Sequence, residues 1–317
     1  MYGQGNTNGA GVATGGEATA TLALVDGGED RVGDVPGDPG CFIQLLPERL
    51  LVPAAKVAEA VNPMNAPYRE AMLPGGLPVP ASLAVLTTKY WGRMARTLTV
   101  SFVETTPEDL QRRILSHMNA WNIGVGFVLT KSGGHVRISR GGQGYWSYLG
   151  TDVLQIPAGY PTMNLQGFTM NTADSEFVRV VRHETGHTLG FPHEHLRRAL
   201  IEQLDVAKTI TYFRDHYGWS EAQTRSNVLT PLDERSIMAT PHADEDSIMC
   251  YQLPGAITRN GRPIRGGNDI NANDRRFAEA IYPPSVTQSP LYVSASWPAS
   301  VDVPVDEAIA RATMLHS

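Results

Sequence analysis

The sequence predicts an α+β fold. It has a twisted mixed sheet and two long helices in its N-terminal half, a more irregular, partly helical C-terminal half, and a cleft between the halves. Three observations predict this. Residues 97–104 alternate apolar and polar side chains, and residues 110–121 carry an apolar stripe at helical spacing. A second helical stretch, opening near Thr172 or Asp174, holds two histidines four residues apart. A period of two marks a half-buried strand, and a period of 3.6 marks a helix with one buried face.

Taken in order, residues 1–38 are dense in glycine and low in large apolar residues, which reads as a tail. Residues 41–84 are mixed, with one helical candidate at Ala54–Val61, and read as an extension outside the core. Regular patterning begins near Tyr90. Leu98, Val100 and Phe102 alternate with threonine and serine, giving a strand over 97–104. Thr106 as cap, Pro107 in the first helical position, and Glu108 and Asp109 at the positive end then open a helix. Its buried stripe is Leu110, Ile114, Met118 and Trp121.

Strands follow at Val125–Thr130 and Val136–Arg140, joined by a turn at Ser132-Gly133-Gly134, and a short one at Leu154–Ile156. A glycine-rich passage spans residues 141–150, and its first part, Gly141-Gly142-Gln143-Gly144, reads as a loop beside the cleft. The histidine-bearing helix buries Phe177, Val178 and Val181 and stops at Gly190. Later helices span Leu204–Tyr217, ended by Gly218, and Asn271–Ile281, ended by Pro283-Pro284. Residues 268–274 look acidic enough for a calcium loop but lack its central glycine and terminal glutamate, so they read as a helix cap. Residues 285–317 form a tail.

Residues 183–193 read HETGHTLGFPH and carry the chemistry. Histidines four apart share one helical face, with Cβ atoms about 5–6 Å apart, so both imidazoles can reach one Zn²⁺. Glu184 points off that face, placed to act on a water at the metal rather than to ligate it. Gly190 can adopt the left-handed turn that ends a helix, and Pro192 forbids its continuation, so His193 swings back as a third nitrogen ligand. Three neutral ligands and one open corner describe a catalytic zinc site, and the pattern implies a zinc-activated water with Glu184 as general base.

Composition excludes other classes. A net charge of −6 without a Lys/Arg cluster speaks against a nucleic-acid partner. Apolar runs such as Leu83–Leu86 fall far short of the roughly 20 residues that span a bilayer. Residues 1–20 lack the pattern of a signal peptide, and the two cysteines, Cys41 and Cys250, allow at most one bridge. Both features lean towards a reducing compartment or an unconventional export route.

The full spacing His-Glu-x-x-His-x-x-Gly-x-x-His resembles the metzincin signature, which is followed downstream by a methionine turn. Ser247-Ile248-Met249-Cys250-Tyr251 stands 56 residues on from His193, counted at Met249. Gly190-Phe191-Pro192-His193-Glu194-His195, that turn, and Gly144–Gly150 (GYWSYLG) are similar to the corresponding segments of the astacins. The resemblance covers residues 86–284. It implies an astacin-like catalytic domain at 85–284, an extension at 1–84 in the place of a propeptide, and a tail at 285–317. It further implies one catalytic Zn²⁺, with Met249 as an apolar floor beneath the imidazoles. Tyr251 would be a weak fifth zinc ligand that swings to donate to the oxyanion.

For Met249 and Tyr251, ordinary core packing is the alternative. Glu194 would either hold a mature N-terminus or stand as a solvent-exposed carboxylate. Cys41 would either donate a latency thiolate to the open zinc position or be an incidental buried cysteine. Astacins are secreted and carry two disulfides, and Tyr145 and Cys250 break that cysteine pattern here. The function implied is a zinc metalloendopeptidase acting on protein or peptide substrates. The alternatives are a zinc hydrolase of a non-peptide amide and a catalytically silent zinc-binding module.

Overall fold

A computed structural model describes residues 41–65, 88–232 and 242–284. The tails read at 1–38 and 285–317, and the boundary near residue 84, lie outside the described residues.

Six strands form one mixed sheet: β1 (Cys41–Gln44), β2 (Arg96–Phe102), β3 (Val125–Leu129), β4 (Val136–Ser139), β5 (Tyr145–Tyr148) and β6 (Met163–Leu165), in the spatial order β1-β5-β6-β4-β2-β3. All neighbours are parallel except β5 and β6, so β1 and β5 run against the other four. With the helices beside it, this is the α+β architecture read from the sequence.

The turn at 132–134 does not make a hairpin. β3 ends with Leu129 opposite Val100, and β4 begins with Val136 opposite the same residue on the other side of β2. The chain therefore crosses over β2 and continues in the same direction. Gly134 makes the crossing, because a Cβ there would stand 2.8–2.9 Å from the backbone of Ser101 and Thr99.

Helix α1 (Glu48–Val61) and helix α2 (Glu108–Met118) flank the sheet. Helix α2 begins one residue later than its punctuation predicts. The Pro107 carbonyl accepts from Gln111 N, which makes proline the cap, while the Thr106 hydroxyl donates to the Glu104 carbonyl. Its predicted stripe, Leu110, Ile114, Met118 and Trp121, is fully buried.

Two short strands escape the sequence pattern for one reason. Strand β5 lies in the glycine-rich passage 141–150, just past the loop read at 141–144, and neither it nor β6 is predicted. Both are only three or four residues long and largely buried on both faces, so neither alternates in sequence. The strand expected at Leu154–Ile156 falls at the end of a 3₁₀ segment, Gly150–Gln155, whose Thr151 N–H bonds the Lys89 carbonyl instead of a ladder partner.

The largest correction concerns residues 41–65, read as lying outside the core. β1 completes the sheet beside β5, and α1 buries Leu50, Ala54 and Ala58 at four-residue spacing. Pro53 inside α1 costs about 3 kcal/mol, which burial of one leucine offsets by about 1.5–3 kcal/mol. Asn65, wholly buried, then locks the segment by donating to the Tyr90 and Ala58 carbonyls at 2.7 and 2.9 Å and accepting from Tyr90 N at 3.0 Å.

In the C-terminal half, helix α4 (Val206–Tyr217) is capped by Asp205 and ended by Gly218 at φ +67°. Helix α5 (Ala272–Ile281) starts at Asn271, whose side chain accepts from Asn273 N and Asp274 N, so residues 268–274 are a helix cap. One apolar cluster lies between the sheet and its helices and includes Met249. A second cluster gathers Cys41, Phe213, Cys250, Tyr251 and Leu253. Residues 249–251 therefore join the two.

Candidate metal centre

The histidine-bearing helix runs from Asp174 through a widened π-turn at Phe177–Val181 into α3 (Arg182–Thr188). Phe177, Val180 and Val181 anchor it in the core, and every residue of α3 after Arg182 is buried. Both its ends are held. Trp121 Nε1 donates to the Arg182 carbonyl at 3.0 Å, Trp91 Nε1 to the Thr188 carbonyl at 2.8 Å, and the Tyr282 hydroxyl to the Leu189 carbonyl. The Thr188 hydroxyl pairs with Ser147 of β5 at 3.0 Å. The bonds to Thr188 and Leu189 satisfy carbonyls that a helix end leaves open, while that to Arg182 pins the start of α3. Gly190 then turns the chain at φ +96°, with Phe191 N returning to the Gly186 carbonyl, and His193 comes back over α3.

His183 Nε2 and His187 Nε2 lie 3.3 and 3.0 Å from His193 Nε2. His183 Nδ1 meets the Ile248 carbonyl at 2.6 Å, and His187 Nδ1 meets the Phe191 carbonyl at 2.8 Å. A carbonyl only accepts, so both rings carry their proton on Nδ1 and present bare Nε2 lone pairs. Burial holds all three imidazoles neutral, pulling His183 down to about 4 and the other two well below their ordinary value. Two such lone pairs aimed at His193 Nε2 at this range repel unless a proton or a cation lies between the nitrogens. Nitrogens bound at 2.0–2.1 Å to one tetrahedral ion stand roughly 3.3 Å apart, so the donor set suits zinc.

Glu184 is wholly buried, and both its carboxylate oxygens lack a hydrogen-bond partner. Burial pushes its pKa up to about 8 against the opposing pull of the Cys41 thiol. Cys41 Sγ stands within 4.8 Å of donor atoms of both His183 and Glu184, so the structure brings this cysteine to the metal centre. It forms no disulfide. The Tyr251 hydroxyl donates to the Cys41 carbonyl, and the Tyr251 ring lies 4.4 Å from that of His193. Met249 lies against α3 between the two histidines, where a Cβ on Gly186 would collide with its sulfur. Glu194 is neither solvent-exposed nor unpaired. It accepts from Arg197 at 3.2 Å and from Asp244 N at 3.1 Å, and burial raises its pKa to about 7.

Sequence reasoning missed several residues that hold this centre. His195 is a fourth buried histidine outside the donor set. Its Nε2 donates to the Asn227 carbonyl at 2.9 Å, its Nδ1 accepts from Tyr251 N, and its ring stacks on Tyr251 at 4.0 Å. Trp91, Tyr282 and Asp274 also act at long sequence range. Only the capping pattern Asn271-x-x-Asp274 left a local trace.

No family model matches the chain. It is 25% identical over 188 residues to the zinc metalloproteinase nas-27 of Caenorhabditis elegans, an alignment covering 57% of this chain and 38% of that relative. The chain thus spans well under half the length of the curated relative it matches. Among solved structures, myroilysin is 28% identical, with a TM-score of 0.58, covering 62% of this chain and 97% of that one. The hatching enzyme HCE-1, a zinc-protease of the medaka Oryzias latipes, is 19% identical, with a TM-score of 0.40, covering 60% and 90%. The astacin resemblance carried by residues 183–195 and 247–251 is borne out.

Proposed function

We propose that this astacin-like chain is a zinc-dependent endopeptidase, held latent in the form seen here by its own residues 41–44. The convergence of three Nε2 atoms beside the buried Glu184, two of them bare because their protons are held on Nδ1, supports this reading more than any other feature. His183, His187 and His193 would hold the ion, and a zinc ion there supplies Lewis acidity and an acidified water at neutral pH.

Glu184 takes a proton from the attacking water and passes it to the leaving amine. Its oxygens suit that task, because they are desolvated and the neighbouring donor is the Cys41 thiol of the segment that is to leave. Tyr251, freed from the Cys41 carbonyl, would donate its hydroxyl to the oxyanion and would be a weak further ligand of a bound zinc. Met249 fills the floor beneath the imidazoles. Glu194, paired with Arg197 here, is released to bind a new N-terminus after processing.

An extended peptide would pair with the edge of β5 that β1 now occupies. Cys41 Sγ, beside His183 and Glu184, is placed to act as a further ligand at the open position. In this reading residues 1–84 are the inhibitory extension, 85–284 the catalytic domain and 285–317 a tail. No helix among the described residues is long and apolar enough to cross a membrane.

The test is digestion of a peptide library by wild type and Glu184→Gln, with chelation and zinc re-addition. Cleavage that needs both Glu184 and zinc supports the proposal. Equal cleavage by the variant overturns it, as does wild type that stays inert once residues 1–84 are removed.

A further inference from the structure

We propose that Asp274, on the last helix, is a positioning residue for the metal centre. Its carboxylate clamps the turn at Ser247–Met249 so that the Ile248 carbonyl meets His183 Nδ1. The proposal rests on the zinc reading above and names a residue that sets how tightly the site holds its ion.

Asp274 is buried, and its carboxylate accepts from three donors. The Ser247 hydroxyl lies 2.6 Å from Oδ1, while Ile248 N and Asn271 N each lie 3.0 Å from Oδ2. Ser247 Oγ in turn accepts from Met249 N at 3.0 Å. One carboxylate therefore reaches two consecutive residues of the turn directly and the third through serine. Two of these residues, Ile248 and Met249, face the centre. The Ile248 carbonyl takes the His183 Nδ1 proton at 2.6 Å, the Met249 carbonyl accepts from Glu194 N at 2.8 Å beside His193, and the Met249 side chain lies under α3.

The chemistry explains why an acid stands here. Three donors and no acceptor point at the group, and an ionised carboxylate is an acceptor on every face. Asparagine would set an N–H₂ against a serine hydroxyl or a backbone N–H. An N–H₂ turned towards Ser247 Oγ can donate to it, but the serine proton then loses its acceptor. Alanine would leave all three donors buried and unpaired.

The consequence for the ion follows from the tautomer. The Ile248 carbonyl keeps the proton on His183 Nδ1 and its Nε2 lone pair towards His193 and His187. If the turn drifts, the ring is free to rotate or change tautomer, and one of three ligands is lost part of the time. Partners beyond the ligands typically change metal affinity by about 10–100-fold. Asp274 acts through a backbone carbonyl, which places it towards the lower end of that range.

A purely structural role is the competing account, because Asp274 also completes the cap of α5. The test separates the two in the full-length chain. Zinc dissociation constants are measured by competition with a chromogenic chelator for wild type, Asp274→Ala, Asp274→Asn, Ser247→Ala and Ala278→Gly. The last variant weakens the buried face of α5 without touching the turn. Thermal unfolding of each apo protein is recorded alongside, as is the ¹⁵N imidazole spectrum of the zinc-free proteins.

The expected order of zinc affinity loss is Asp274→Ala, about 10-fold or more, then Ser247→Ala, then Asp274→Asn, with Ala278→Gly binding as wild type despite a lower midpoint. In Asp274→Ala one Nδ1-protonated histidine signal should give way to a tautomer mixture. Affinity that merely tracks the unfolding midpoint across all five proteins overturns the proposal, as does an unchanged histidine spectrum. Should Asp274→Ala not fold, Ser247→Ala and Asp274→Asn carry the comparison alone. A wild type that fails to bind zinc would sink the zinc reading itself, whereas wild-type binding with unaltered variants sinks only the role of Asp274.

Discussion

Replacing Gly190 with alanine should damage the metal centre and the fold together. Two effects add at this position. The backbone sits at φ +96°, where a side chain costs about 1–3 kcal/mol. A new Cβ would also stand 3.0 Å from the Tyr90 ring and 3.1 Å from the Lys89 carbonyl. Tyr90 is buried and tied through Asn65, and a backbone carbonyl cannot swing aside, so overpacking adds about 1–3 kcal/mol. The total is about 2–6 kcal/mol, relieved only if the turn opens. Opening it moves His193 away from His183 and His187.

Gly218→Ala is the matched control, because it has a similar positive φ of +67° but nothing within 4 Å of the new Cβ. Urea unfolding and zinc content per chain by mass spectrometry read both variants. Gly190→Ala should lose about 2–6 kcal/mol and retain well under one zinc, whereas Gly218→Ala loses about 1–2 kcal/mol and retains its zinc. A Gly190→Ala protein with full zinc and wild-type stability would refute the argument that this turn delivers the third ligand.

Three other outcomes are expected. Glu184→Gln should lower peptide hydrolysis by about 10²–10⁴-fold while zinc content stays unchanged, read by turnover and metal analysis of the same sample. Cys41→Ser in the full-length chain should raise basal hydrolysis severalfold, and an unchanged rate would remove Cys41 from the latency account. Lys89 and Asp152 form a buried pair at 3.1 Å. Lys89→Met should therefore cost about 3–5 kcal/mol in urea unfolding, most of it recovered when Asp152→Leu is added.

The metal centre was the most legible part of the sequence because its logic is local. His183, Glu184 and His187 share one helix, and Gly190 returns His193 within six residues of His187, so helical geometry and one glycine suffice to bring them together. The main sheet strands and the helices ended by Gly218 or capped by Asn271 were legible for the same reason, since periodicity and punctuation are written in adjacent residues.

What was not legible depends on distant partners. β1 is a strand only because β5 lies beside it, and α1 joins the core through Leu50 and Ala54. β5 and β6 are too short and too evenly buried to alternate. The crossing of residues 130–135 over β2 turns on a register no local pattern encodes. The clamp from Asp274 to Ser247 spans 27 residues, and the bond from Tyr282 to Leu189 spans 93.

X-ray absorption at the zinc edge, on protein purified without added metal, tests the central claim most directly. The account expects one zinc per chain with three imidazole nitrogens at about 2.0–2.1 Å, and loss of a nitrogen scatterer in His193→Ala. A zinc-free protein that does not take up the metal, or a zinc shell unaffected by His193→Ala, would contradict it.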